Sequence, residues 1–111
     1  MKEFKGTLGP WQALPEEVDK PYIRIRGTRI GGRFKIANIL TPVYENVHER
    51  EADETRCNAQ LIAASPDLLA ALQSLVEIYD NDGSRLYTTE TKQRALDNAK
   101  VAIDKALGEE K

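Results

Sequence analysis

The hydrophobic period of the chain changes once, near its middle, and that change separates two kinds of element. In the first half Tyr22-Ile23-Arg24-Ile25-Arg26 alternates strictly. Ile23 and Ile25 therefore lie on one face of a strand, and Tyr22, Arg24 and Arg26 on the other. Arg33 to Leu40 reads as a second strand on which Phe34, Ile36 and Leu40 share a face. A turn at Gly27-Thr28 or Gly31-Gly32 joins the two, and Pro42 ends the second. Trp11 to Leu14, bounded by Gly9-Pro10 and Pro15, is a shorter candidate, and Pro10 favours a sheet edge. Strand segments thus occupy about 9–43.

From residue 49 the period becomes helical. The acidic run Glu49-Arg50-Glu51-Ala52-Asp53-Glu54 opens a helix over about 49–64, its carboxylates set at the positive end of the helix dipole. Thr55, Asn58, Ala59, Leu61 and Ile62 fall in one broad arc. Asn58 is therefore expected near the middle of an apolar face, where its amide needs a partner. At Ser65-Pro66-Asp67 the chain restarts, with Ser65 as N-cap and Pro66 at the first helical position. A second helix over about 66–81 then leaves the first at an angle. Leu68, Leu69, Leu72, Leu75, Val76 and Tyr79 mark it as a core element, and Asn81-Asp82-Gly83 stops it. A third helix over about 89–107, capped by Thr88 or Thr89, carries a seam of Ala95, Ala99, Ala102 and Ala106. Leu96, Ile103 and Leu107 widen that face, and Gly108 ends it.

This order predicts an α+β fold: a small N-terminal antiparallel sheet followed by two to three C-terminal helices, in one domain over 1–111. The alanine seam and the short sheet leave faces that one chain does not cover, which predicts a homo-oligomer. Composition then removes several function classes. The 31% charged residues, the mean hydropathy of -0.53 and the lack of an apolar run near the ~20 residues of a bilayer span predict no membrane association. The N-terminus lacks a secretory pattern, and one cysteine, Cys57, fits a reducing, cytoplasmic compartment. With one histidine, His48, and no P-loop, dinucleotide fingerprint, zinc spacing or nucleophile elbow, the reading is a non-enzyme without a cofactor. His48 near Cys57 lacks an oxyanion hole and an orienting third group.

Charge distribution is more informative than net charge. The total is -2, yet residues 20–44 hold Lys20, Arg24, Arg26, Arg29, Arg33 and Lys35 with no Asp or Glu. If the two strands pair, Arg24, Arg26, Arg33 and Lys35 crowd one face, and such repulsion points to an anion or to a partner's carboxylates. A pI of 5.5 argues against extended nucleic acid. Trp11, Tyr22 and Tyr44 lie close enough in sequence for a ring to stack on a base.

Asn58-Ala59-Gln60-Leu61-Ile62-Ala63-Ala64-Ser65-Pro66-Asp67-Leu68-Leu69 resembles the pattern A-N-A-x-L-I-A-A-A-P-D-L-L of small phage and prophage proteins. Gly9-Pro10-Trp11 and Lys35-Ile36-Ala37 resemble further parts of the same proteins, in the same order, between residues 9 and 79. The chain departs from the pattern at Cys57 and Ser65, where alanine is usual. The Asn-Ala-x-Leu-Ile helix is similar to that of the Thoeris anti-defence sponge family, which sequesters cyclic nucleotide immune signals. The resemblance implies a phage or prophage oligomer in an infected or lysogenic host. It would hold a cyclic nucleotide or ADP-ribose-derived signal of a Thoeris or CBASS system between subunits, without cleaving it. Asn58 carries over as a binding position for ribose or base. The basic segment then supplies Arg24, Arg26 and Arg33 for phosphates, with Tyr22 and Tyr44 beside them. The alternative is a phage adaptor or inhibitor that docks its basic sheet on an acidic host protein.

Overall fold

The computed structural model describes residues 3–28, 34–41, 49–80 and 88–108. Its elements are β1 (Trp11–Ala13), β2 (Tyr22–Gly27), β3 (Phe34–Leu40), α1 (Glu49–Ala63), α2 (Ser65–Asp80) and α3 (Thr89–Leu107). The fold is α+β, with an antiparallel three-stranded sheet in the order β1-β2-β3 ahead of the helices. Arg33, Tyr44, Arg29, His48 and the expected stop at 81–83 lie outside the described residues.

β2 is the central strand because its alternation supplies a complete apolar face. Ile23 and Ile25 are buried, and together with Ala59 and Ala63 of α1 they form the main core cluster. Trp11, Ala13, Ile36, Ala37, Ile39 and Ile62 pack around it. Burying a side chain such as Ile25, which is fully enclosed, contributes about 1.5–3 kcal/mol. β1 sits at the edge, in keeping with Pro10, and Leu14 extends its ladder by donating its amide to the Arg24 carbonyl at 2.9 Å.

β3 departs from simple alternation. Ile25 pairs with Ala37 but Arg26 pairs with Lys35, so Ile36 is the extra residue of a β-bulge. The bulge reverses parity: Ala37 and Ile39 face the core opposite Ile25 and Ile23, and Leu40 stands beside Tyr22 on the other face, 78% exposed. Of the expected stripe of Phe34, Ile36 and Leu40, Ile36 packs against the core and Phe34 pairs with Gly27 on that side, whereas Leu40 is on the opposite face. A period of two cannot register an inserted residue.

The helices turn where proline requires it. α1 and α2 meet at 49°. Pro66 has no amide hydrogen for the Ile62 carbonyl, and Ala64 donates to the carbonyls of both Gln60 and Leu61, at 3.1 and 3.2 Å. Ser65 is not the expected side-chain cap; its hydroxyl donates back to the Leu61 carbonyl at 3.3 Å. α3 has both expected ends. The Thr88 hydroxyl accepts from the Thr91 amide at 3.1 Å, and Gly108 is left-handed, with φ 77°.

α2 and α3 pack through a narrower face than their sequences indicate. Ile78, Ala95 and Ala102 are buried, so the alanine seam is used within the chain. Leu72, Val76 and Tyr79 of α2 and Leu96, Ile103 and Leu107 of α3 remain exposed.

The joint between sheet and helices is built from Gly9-Pro10-Trp11 and Pro66-Asp67. Lys105 of α3 donates to the Trp11 carbonyl at 3.0 Å and to the Asp67 carboxylate at 2.6 Å. A Cβ on Gly9 would lie 2.9 Å from the Pro66 ring, so only glycine allows this approach. Arg56 ties the loop after β1 to α1 by pairing with Glu16 and Asp53 at 2.8 and 2.7 Å. The Gly9→Ala protein is expected to lose about 1–3 kcal/mol to overpacking against a ring that cannot swing away. Urea unfolding of the two proteins checks this.

Candidate functional site

The face of the sheet opposite α1 is where the basic residues gather. Cross-strand pairing sets Arg26 against Lys35, Arg24 against Asn38 and Tyr22 against Leu40, all on the face away from Ile23 and Ile25. α1 is the helix that packs on the sheet, and it does so on the inner face through Ala59 and Ala63.

The two expected phosphate contacts have different surroundings. Arg24 is ion-paired to Glu17 at 2.6 Å, and Lys20 holds the other oxygen of that carboxylate at 2.8 Å. Arg26 lies over β3, donating to the carbonyls of Ile25 and Ala37 at 2.8 and 3.0 Å and to Asn38 Oδ1 at 3.1 Å. Among the described residues no carboxylate comes within ion-pair distance of Arg26 or of the exposed Lys35. Among the described residues, Lys20 and Arg24 share the Glu17 carboxylate, and Arg26 and Lys35 add two further cations to the face. The bulge at Ile36 is what keeps Lys35 on this face beside Arg26. The hydrogen bond from Lys20 holds the Glu17 carboxyl below its ordinary range; partial desolvation opposes this, and the charges of Arg24 and Lys20 reinforce it.

Asn58 is elsewhere. It is exposed on α1, not set in the buried face, which is made by Ala59 and Ala63 with Ala52, Thr55 and Ile62 at its margins. Within one chain the sheet stands between α1 and the guanidinium groups of Arg24 and Arg26, so the structure does not bring Asn58 to them. Tyr22 is half-buried on the basic face, and Trp11 packs inward. Cys57 is exposed and free.

Three cavities among the described residues lie away from Arg24 and Arg26. One of 530 Å³ runs between α2 and α3 and is lined by Pro10, Asp67, Ser74, Asn98 and Lys105. One of 380 Å³ separates the N-terminal segment from α2, and one of 300 Å³ lies between the end of β1 and α1. Glu17 is a component that sequence reasoning missed, because it precedes the basic segment and reaches Arg24 only through the fold of the connecting loop.

The family model described as Salmonella phage P22 protein Y8K6 matches residues 1–110. The chain belongs to that phage protein family. No curated protein and no solved structure matches it. Nor is any single described helix long and apolar enough to cross a membrane. Gly9 and Pro66, both within the phage-like pattern read from the sequence, meet at the joint between sheet and helices.

A depressed carboxyl pKa keeps the Glu17 pairs intact above the ordinary carboxylate range, and they are lost as pH falls through the lowered value. In a carbon-detected NMR titration, Glu17 is expected to protonate below the ordinary glutamate range. Lys20→Ala is expected to return its midpoint upward by more than Arg24→Ala does, because the Lys20 hydrogen bond is the larger cause.

Proposed function

We propose that this phage protein is a non-catalytic binding protein that captures an anionic nucleotide, cyclic or ADP-ribose-derived, on the outer face of its sheet. It would act in the cytoplasm of an infected or lysogenic host as a sponge for a Thoeris- or CBASS-type immune signal. The observation that carries the reading is the excess of cations on that face, with Arg26 and Lys35 adjacent and lacking a carboxylate among the described residues. Two guanidinium groups on one strand suit phosphate oxygens, which take paired, charge-assisted hydrogen bonds. Tyr22 offers a ring beside them, and Arg33 and Tyr44 continue the same reading into segments outside the described residues. The nucleotide class rests on the resemblance of the Asn58 helix to the sponge family. Asn58 enters such a site from a neighbouring subunit of a homo-oligomer, since in one chain it lies across the sheet.

A second reading, docking on an acidic host protein, is favoured by the exposed apolar side chain that accompanies the cations. Exposed Leu40 stands beside the cations, and the three cavities described above do not reach them. Small-molecule sites are concave as a rule, whereas protein interfaces combine apolar and arginine contacts on flatter ground.

Thermal melts against a panel of cyclic and ADP-ribose-derived nucleotides separate the two, because binding to the native state raises the melting temperature. A shift is expected with at least one nucleotide. Arg26→Glu is expected to abolish that shift and, because Arg26 is part-buried and bonds the Ile25 and Ala37 carbonyls, to lower the ligand-free melting temperature as well. Lys35→Glu, at an exposed position, is expected to weaken the shift while the ligand-free melt stays within a few degrees, since exposed substitutions change stability by about 0.5 kcal/mol. Asn58→Ala is expected to weaken binding without changing the ligand-free melt. No shift across the panel, with capture of one host protein that Arg26→Glu releases, would replace the sponge by the adaptor.

A further inference from the structure

We propose that the Glu17 carboxylate is a tethered competitor on the basic face, and that it restricts binding at Lys20 and Arg24 to ligands carrying two phosphate groups. On the outer face of the sheet, read as the anion site proposed above, the cations fall into two pairs with different occupants.

One pair is filled from within the chain. Lys20 and Arg24 converge on the two oxygens of Glu17, at 2.8 and 2.6 Å. A turn brings Lys20 back toward Glu17, its amide donating to the Glu17 carbonyl at 3.1 Å. Neighbouring Glu16 is held by Arg56 of α1, so the loop has an anchor apart from this pair. The side chains of Lys20, Arg24 and Glu17 are 32, 21 and 39% exposed. An ion pair in contact with water is weakly held. Glu17 can therefore release both cations by rotating its own side chain, with the loop in place.

The other pair is Arg26 and Lys35, opposite one another across β2 and β3. Among the described residues neither has a carboxylate at ion-pair distance. Arg24 and Arg26 are two residues apart on one strand, which sets the two pairs roughly 7 Å apart along the face. Two phosphate groups of one nucleotide can span that distance.

The outcome of the competition then depends on the number of charges. A ligand with one charged phosphate settles on Arg26 and Lys35. Exchanging the Glu17 carboxylate for another single charge would leave the electrostatics at Lys20 and Arg24 unchanged, and would give up the high effective concentration of a tethered group. A ligand with two phosphates is held by the first at Arg26 and Lys35, so the second reaches Arg24 as a tethered group too. Its oxygens accept paired, charge-assisted hydrogen bonds from a guanidinium as a carboxylate does. Glu17 loses its advantage and turns out to water.

NMR titrations of the full chain with inorganic pyrophosphate and with dimethyl phosphate, at constant ionic strength, test the proposal. In the wild type, pyrophosphate is expected to shift the Glu17 carboxyl carbon together with the Lys20 and Arg24 side-chain signals. Dimethyl phosphate is expected to move signals at Arg26, Lys35 and Asn38 alone. Glu17→Gln is expected to tighten pyrophosphate binding about fivefold, the factor by which an exposed ion pair depletes the free form of its cations. The same substitution leaves the affinity of dimethyl phosphate for Arg26 and Lys35 unchanged and opens Arg24 to it. Asp19→Asn removes a charge from the same loop and is expected to change neither affinity. An unaltered pyrophosphate affinity in Glu17→Gln overturns the proposal, as does an equal gain for both anions, or pyrophosphate bound at Arg26 and Lys35 with the Glu17 carboxyl unmoved. Each of these leaves the anion face standing. Pyrophosphate that perturbs no residue of the face in either protein removes the anion site and the competitor with it.

Discussion

The close approach of α1 to the sheet, Ala59 and Ala63 against Ile23 and Ile25, is the contact on which the rest of the molecule depends. Alanine has no side chain to hold the helix away, so α1 lies near the pleat and the isoleucines fill the space between. The contact commits one face of β2 to the core. Strand alternation then assigns Tyr22, Arg24 and Arg26 to the opposite face, where no helix is required for stability. A basic outer surface thus follows from the same five residues that build the core strand.

The Gly9-Pro10-Trp11 and Pro66-Asp67 segments act at a different place. Gly9 lets the N-terminal segment touch Pro66, Pro66 turns α2 away from α1, and Asp67 anchors the Lys105 ammonium that also holds the Trp11 carbonyl. These residues make a joint. They hold sheet and helices together at a distance from the outer sheet face, where Arg24, Arg26 and Lys35 lie. The Y8K6 family match over residues 1–110 fits a whole-chain architecture organised around that joint.

Much of the fold was legible where one local rule acts alone. The alternation in β2, the break at Pro66, the Thr88 cap and the left-handed Gly108 depend on neighbours within a few residues, and each is where the sequence indicates. Three features were not. The bulge at Ile36 exchanges the faces of Leu40 and Ile39, and nothing local to β3 announces an inserted residue. The buried side of α1 is made of alanines, so an arc weighted by hydrophobicity leans toward Leu61 and carries Asn58 with it; the sheet instead selects the side that permits closest contact. On α2 the leucines form two stripes, of which α3 covers one. At the candidate site, the co-facial placement of Arg24, Arg26 and Lys35 was readable, whereas the Glu17 pairing depends on how the loop ahead of β2 folds back.

The central claim is that the outer face of the sheet is the anion-binding surface of this protein. Amide chemical-shift mapping on addition of inorganic phosphate, and then of a cyclic dinucleotide, tests it most directly, because it locates binding without altering a residue. The account predicts perturbations concentrated at Tyr22, Arg24, Arg26, Lys35 and Asn38, with a larger response to the nucleotide than to phosphate. Perturbations confined to Asp67, Ser74, Asn98 and Lys105, around the 530 Å³ groove between α2 and α3, would contradict it.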